Sequence, residues 1–328
     1  MSTRADRRLL TLQDLINMPA PQWLVEGLFE SNALVMLAGA PGSYKSFLAL
    51  DWMLCMVLGR NWHDRRVKPS KVLYILGEGK SSVKKRMQAW CIHNEQSGNE
   101  AFTRIQENFR VTFDVPQFAT PGQLTDLLGA FRREAFVPEV IVIDTFARSF
   151  VGSDENSSQD TGRWIEAAEE LRKQGYSVLF VHHTRKNTEF GHQFRGSTAI
   201  LGAMDTAMTV VKDTDDPDCV EIAITKQKDH DEGEPLRLMR LFVPNGEQGS
   251  IVLIPAPQEQ ESVNTAALRE VSNDASLKSL GDKGKALAVK LNIKETTAKS
   301  RVVRFLNEQK QISKLAVVEP LNAEASTG

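Results

Sequence analysis

Gly39-Ala40-Pro41-Gly42-Ser43-Tyr44-Lys45-Ser46 approximates the spacing G-x-x-x-x-G-K-[ST]. In a loop of this kind successive backbone N–H groups curl around phosphates, and the helix that follows adds its N-terminal field. Lys45 could reach the outer phosphates of ATP. The Ser46 hydroxyl could ligate magnesium, and Phe47 closes the stretch that would touch the nucleotide. One position departs from the spacing: Tyr44 stands where a glycine is expected before the lysine. Its N–H remains, but its side chain restricts φ and adds bulk. The competing reading is a chance glycine turn.

Two carboxylates could complete the chemistry. Asp144 follows the apolar run Val140-Ile141-Val142-Ile143. A carboxylate that ends an inner strand beside a phosphate loop can hold magnesium through water; otherwise it caps a helix. Glu78 lies in Gly77-Glu78-Gly79, directly after Lys71-Val72-Leu73-Tyr74-Ile75-Leu76. Ligands of open parallel sheets bind beyond the carboxyl ends of the strands. Glu78 is thus a candidate to orient and deprotonate an attacking water, against the reading of an exposed turn glutamate. His182 and His183 end another run. Neighbouring strand residues point to opposite faces, so at most one of the two could sense a terminal phosphate. A purely structural histidine pair is the alternative.

The elements that must position these residues follow from periodicity. Residues 33–38 read as a buried strand, and 71–76, 109–113, 140–143 and 177–181 as further strands. Residues 47–58, 81–93, 121–134 and 161–174 read as helices between them. Strand and helix in alternation imply an α/β fold, a mostly parallel sheet with helices on both faces. After Gly202, residues 206–211, 220–226, 236–243 and 251–254 read as partly antiparallel strands finishing that sheet. The expected division is a core over residues 1–256, a linker over 257–264 and a small C-terminal domain over 265–328.

Composition narrows the classes. A chain of 328 residues with 41% hydrophobic and 25% charged residues fits a globular protein with one large core and a small second domain. A net charge of −2 excludes a uniformly basic coat, so any nucleic-acid contact must use local patches. Cys55, Cys91 and Cys219 are far apart, with neither zinc spacing nor a disulfide framework, which suits a reducing cytoplasm. No run approaches membrane-spanning length, and the charged start of the chain suggests no signal peptide.

Taken together, the motifs resemble the RecA-like P-loop ATPases, and among them the RepA-type hexameric helicases of plasmids, phages and prophages. Trp23-Leu24-Val25-Glu26-Gly27-Leu28, the phosphate loop, Gly77-Glu78, Asp144-Thr145-Phe146-Ala147-Arg148, Asp154-Glu155-Asn156, Val181-His182-His183-Thr184, Arg195-Gly196-Ser197 and Thr225-Lys226-Gln227-Lys228-Asp229 carry the likeness. It implies ATP and Mg2+ as cofactors, with Lys45 on the phosphates and Ser46 and Asp144 at the metal. It further implies Glu78 as the activator of water and His183, or His182 beside it, as the polar switch. Lys226 and Lys228 resemble paired basic fingers inserted into a neighbour's ATP site. Physically, such cations stabilise transition-state charge across an interface; solvated strand-end lysines are the alternative. Lysine at position 228 is a point charge and cannot contact phosphate in the bidentate way arginine does.

The resemblance also implies two loops facing single-stranded DNA, residues 148–159 and 184–195. Arg185, Lys186 and Arg195 suit salt-sensitive, sequence-independent binding to the phosphate backbone; a solvated lid is the alternative. Toward the C-terminus, residues 284–291 and 296–310 read as helices and 315–318 as a wing strand, resembling a winged helix-turn-helix. Ten basic side chains against three acidic ones between Lys278 and Lys314 fit a duplex-DNA-facing patch, or a protein-docking module. The function implied is an ATP-dependent ring translocase or helicase on single-stranded DNA. A recombinase or recombination mediator, and an ATP-gated DNA-binding regulator, stay open beside it.

Overall fold

The computed structural model describes residues 9–17, 20, 22–154, 157–184, 198–213, 216–256, 263–291, 295–296, 298–299, 302–303 and 306. The chain divides into two compact units, residues 1–256 and 257–328.

In the first unit a short helix α1 (Leu12–Ile16) precedes a small hairpin, β1 (Trp23–Val25) and β2 (Phe29–Glu30). Then come β3 (Leu34–Gly39), α2 (Lys45–Leu58), β4 (Val72–Leu76), α3 (Val83–His93), α4 (Asn99–Asn108), β5 (Phe109–Thr112), α5 (Gln123–Arg133) and β6 (Val140–Asp144). A 3-10 turn, Phe146–Phe150, leads to α6 (Ser158–Lys173), β7 (Ser177–His183), α7 (Thr198–Ala203), β8 (Thr206–Lys212), β9 (Cys219–Gln227), β10 (Leu236–Asn245) and β11 (Gln248–Pro255). The nine-stranded sheet has the order β11-β10-β9-β8-β3-β7-β6-β4-β5. From β8 to β5 all neighbours are parallel; β9, β10 and β11 are antiparallel to theirs. This is the RecA-like α/β fold, with β3 in the middle carrying the glycine loop at its carboxyl end.

Strand alternation explains how the sheet keeps two dry faces. Val35 and Leu37 of β3, Val140 and Val142 of β6 and Leu179 and Val181 of β7 pack with α2, Trp90 of α3 and Ala101 of α4. Leu34 and Met36, Ile141 and Ile143, and Val178 and Phe180 pack on the other face with Phe131 of α5 and Trp164 and Leu171 of α6. With every residue of β3, β4 and β6 buried, hydrophobic runs there replace the in–out pattern of a half-exposed sheet. Helix α2 is apolar along almost its whole length because it lies inside the first of these layers.

Several features were absent from the periodic reading. Helix α4 and the β1–β2 hairpin were not anticipated, the helix being only ten residues long and the hairpin strands three and two. Residues 148–159 form less of a loop than expected, since the 3-10 turn takes Arg148 and α6 begins at Ser158. In the second unit α8 (Val263–Asn273) begins inside the stretch expected to be linker. With α9 (Leu280–Leu291) it surrounds a small core of Ala267, Val271, Leu287, Ala298 and Val302. The expected wing at 315–318 and most of the helix expected at 296–310 lie outside the described residues.

Candidate nucleotide site

The phosphate loop runs between two fixed points. Gly39 ends β3 so close to its surroundings that a Cβ there would lie 2.3 Å from the Val210 carbonyl oxygen. Only glycine fits such an approach. At the far end Tyr44 is the N-cap of α2 with φ 65° and ψ 14°, a left-handed conformation. A glycine would adopt it freely, and tyrosine adopts it at some cost. The loop is thereby kept in its turn despite the substitution. Lys45 is buried, and its ammonium donates to the carbonyl oxygens of Gly39 (2.9 Å) and Ala40 (2.8 Å).

Asp144 faces this loop because it shares a strand face with Val140 and Val142, the α2 side. It is buried and accepts from the Tyr74 hydroxyl at 3.0 Å. Burial raises its pKa, opposed by the Ser46 and Tyr74 hydroxyls beside it, by the charge of Arg86 and by His183 when that ring is protonated. Burial lowers that of Lys45 to about 8, with Asp144 pulling the other way.

Glu78 stands just beyond β4. Its carboxylate lies 3.5 Å from the Thr145 hydroxyl, 3.4 Å from Arg148 Nε and 3.9 Å from His183 Nε2. The two histidines part as alternation requires. His182 packs edge-on against Phe146, ring centroids 5.0 Å apart, on the α6 face. His183 lies on the loop face, where burial and the charge of Lys45 hold its pKa below the usual value, against the pull of Glu78 and Asp144. It therefore meets Glu78 mainly as neutral imidazole.

The residues present fit a nucleotide with magnesium. A hydroxyl beside a buried carboxylate is a hard-oxygen donor pair, and magnesium commonly takes only one or two protein oxygens, completing its shell with phosphate and water. Among the described residues no group of three or more His, Cys, Asp or Glu side chains forms a closed metal cage. A buried ammonium satisfied by two loop carbonyls and the Ser43 hydroxyl is well matched to a polyanion that would replace them.

Lys226 and Lys228 sit elsewhere. Lys226 pairs with Ala207, which pairs with Met36, and Lys228 hydrogen-bonds through its N–H to Asp205 at the amino end of β8. They occupy the amino-terminal end of β3's neighbourhood, several residues of strand rise, ~10 Å or more, from Gly39. The Lys226 ammonium donates to the carbonyl oxygens of Leu201, Gly202 and Met204, closing the end of α7. That differs from a finger free to reach outward. Lys228 is half exposed and ion-paired with Asp205 at 2.6 Å. Arg185, Lys186 and Arg195 lie outside the described residues.

With that geometry in view, the AAA domain family matches residues 4–189, more than half of the chain. The chain belongs to that AAA-domain family. It is a P-loop ATPase by that membership and by its loop. Among solved structures it is similar to the KaiC-like protein PH0186 from the hyperthermophilic archaeon Pyrococcus horikoshii OT3, with 14% identity and a TM-score of 0.45. That match covers 71% of this chain and 94% of that one. It is similar also to the RadB recombinase, with 17% identity and a TM-score of 0.44, over 64% of this chain and 87% of that one. No curated protein matches the chain. Among the described residues of this AAA-domain ATPase no helix is long and apolar enough to cross a membrane.

Sequence reasoning missed three residues of the candidate site. Tyr74 reaches Asp144 from the neighbouring strand, and its spacing from Leu76 on one strand face was the available signal. Thr145 and Arg148 sit in the Asp144 motif itself, yet nothing in their types announces contact with Glu78. A Cβ on Gly77 would lie 2.8 Å from Arg148 Cγ, so that glycine leaves the arginine room.

Proposed function

We propose that this AAA-domain ATPase is a ring-forming translocase on single-stranded DNA, a helicase of the RepA type serving plasmid or phage replication. ATP occupies the loop with Lys45 on its outer phosphates and Ser46 and Asp144 at the magnesium. When bound, the magnesium neutralises charge developing on the transferred phosphoryl group. Glu78 orients a water and takes its proton; Thr145 and Arg148 hold the carboxylate, and neutral His183 links it to the next strand. Hydrolysis thereby bears on residues 184–195, where Arg185, Lys186 and Arg195 grip DNA.

The observation that carries the reading is the convergence of Glu78, Asp144, His183 and Lys45 beyond the carboxyl ends of adjoining parallel strands. The position of Lys228 at the other end of the sheet supports action on a neighbouring subunit rather than its own. A forked-duplex unwinding assay with ATP tests the proposal, with Glu78→Gln as the internal control. Wild type is expected to unwind directionally. Glu78→Gln is expected to keep ATP binding and lose turnover by 100-fold or more, roughly the worth of a general base. Filaments with strand pairing would replace the helicase by a recombinase, and sequence-specific duplex binding without unwinding would replace it by a regulator. Wild-type hydrolysis by Glu78→Gln would remove the base assignment.

A further inference from the structure

Tyr44 occupies a left-handed glycine position, so its ring is there in spite of the backbone. It packs at the edge of the α2 core layer, edge-on to Phe47 with centroids 6.2 Å apart. Three cations from three elements gather on these rings. The Arg86 guanidinium of α3 lies over Phe47 at 4.5 Å, and the Lys212 ammonium at the end of β8 lies over Tyr44 at 4.6 Å. Arg240 of β10 is near enough to Tyr44 for the two to interact electrostatically, and is ion-paired with Asp218 at 2.6 Å. Arg240 is thus anchored. Among the described residues Lys212 has no carboxylate partner and is held by the ring face alone.

The strand order says what this cluster faces. Asp144, Glu78 and His183 come from β6, β4 and β7, on one side of β3; Lys212 and Arg240 come from β8 and β10, on the other. A triphosphate lying along the loop with its terminal phosphate toward the carboxylates must send its nucleoside end toward β8. An exposed ammonium on a ring face is held weakly. A phosphate oxygen offers a charge-assisted hydrogen bond, which is stronger. The lysine therefore leaves the ring when a phosphate comes within reach of its flexible stem.

We propose that Lys212, docked on Tyr44, is a second phosphate-binding cation of the same chain, taking the phosphate nearest the nucleoside. The proposal rests on the reading of residues 39–46 as a nucleotide loop. The glycine-to-tyrosine departure is then a parking place that keeps this cation beside the loop before the nucleotide arrives.

Calorimetric binding of ADP and of ATP to the full chain tests it, with wild type, Lys212→Met, Tyr44→Leu, the double variant and Lys45→Ala. Lys212 is exposed, so the methionine variant keeps the fold. It is expected to weaken ADP and ATP by the same factor, about tenfold, because the innermost phosphate is common to both. The double variant is expected to bind no worse than Lys212→Met alone, since the ring acts through the lysine. Unchanged affinity in Lys212→Met, with binding abolished in Lys45→Ala, would overturn the proposal and leave the nucleotide loop standing. A loss for ATP alone would move Lys212 to the terminal phosphate and overturn the assignment. Additive losses in the double variant would overturn the docking role of Tyr44. Absence of nucleotide binding by wild type would overturn both the proposal and the loop.

Discussion

Lys45 concentrates the chemistry of the site in one titratable group. Burial brings its pKa down to about 8, and a bound polyphosphate favours the charged form. The sign follows: nucleotide binding raises the pKa, so above about pH 8 binding must take up a proton. Affinity for ATP is expected to fall as pH rises from 8 to 9.5, approaching tenfold per unit at the limit. Titration calorimetry in buffers of different ionisation enthalpy would detect the proton uptake directly. Lys45→Arg, whose guanidinium stays charged, should show a shallow slope whatever its absolute affinity. A flat wild-type profile would mean that Lys45 keeps its charge in the empty site. At this scale the sequence was readable where spacing constrains type, as from Gly39 to Ser46. It was not readable where a long side chain crosses space, because Arg148 and Tyr74 meet their partners through the tertiary fold.

The elements that hold the loop depend on a buried carboxylate far from the chemistry. Asp51, two turns into α2, accepts from Trp62 Nε1 at 2.7 Å and Trp90 Nε1 at 2.5 Å. It thereby ties the loop helix to α3 and to the turn after α2. Burial pushes its pKa up to about 6, against the pull of the two indoles. A carboxyl raised from 3.8 binds more protons folded than unfolded between about pH 4 and 6, so its contribution to stability falls as pH rises through that window. The whole change is about 3 kcal/mol. Urea midpoints of wild type and Asp51→Asn, compared from pH 4 to 7, isolate the term because other carboxylates titrate equally in both. The difference between the two proteins should shift by up to that amount in favour of Asn as pH rises. A difference constant with pH would show that Asp51 stays charged throughout. The strands of this layer were legible as unbroken β-branched and leucine runs, whereas α4 is only ten residues long, at the lower limit of length for a helical period to stand out.

At the scale of the whole molecule the question is which chain completes which site. Lys228 lies at the opposite end of the sheet from its own loop, so a role in hydrolysis requires a neighbour. Lys226 is tied to the end of α7, and its removal would disturb that helix as well as any interface. Lys228→Ala is therefore the cleaner variant, since it removes a half-exposed ion pair worth little to the fold. It should bind ATP through its intact loop and hydrolyse it poorly. Lys45→Ala should be inactive with its fingers intact. Mixing the two in equal amounts creates head-to-tail interfaces of which about a quarter join a good loop to a good finger. ATPase activity should recover toward that fraction and depend on protein concentration, with size-tagged subunits proving exchange. Lysines acting within their own chain would give no recovery, because each subunit is then defective by itself. No recovery after proven exchange would count against a shared-site ring and favour the ATP-gated regulator.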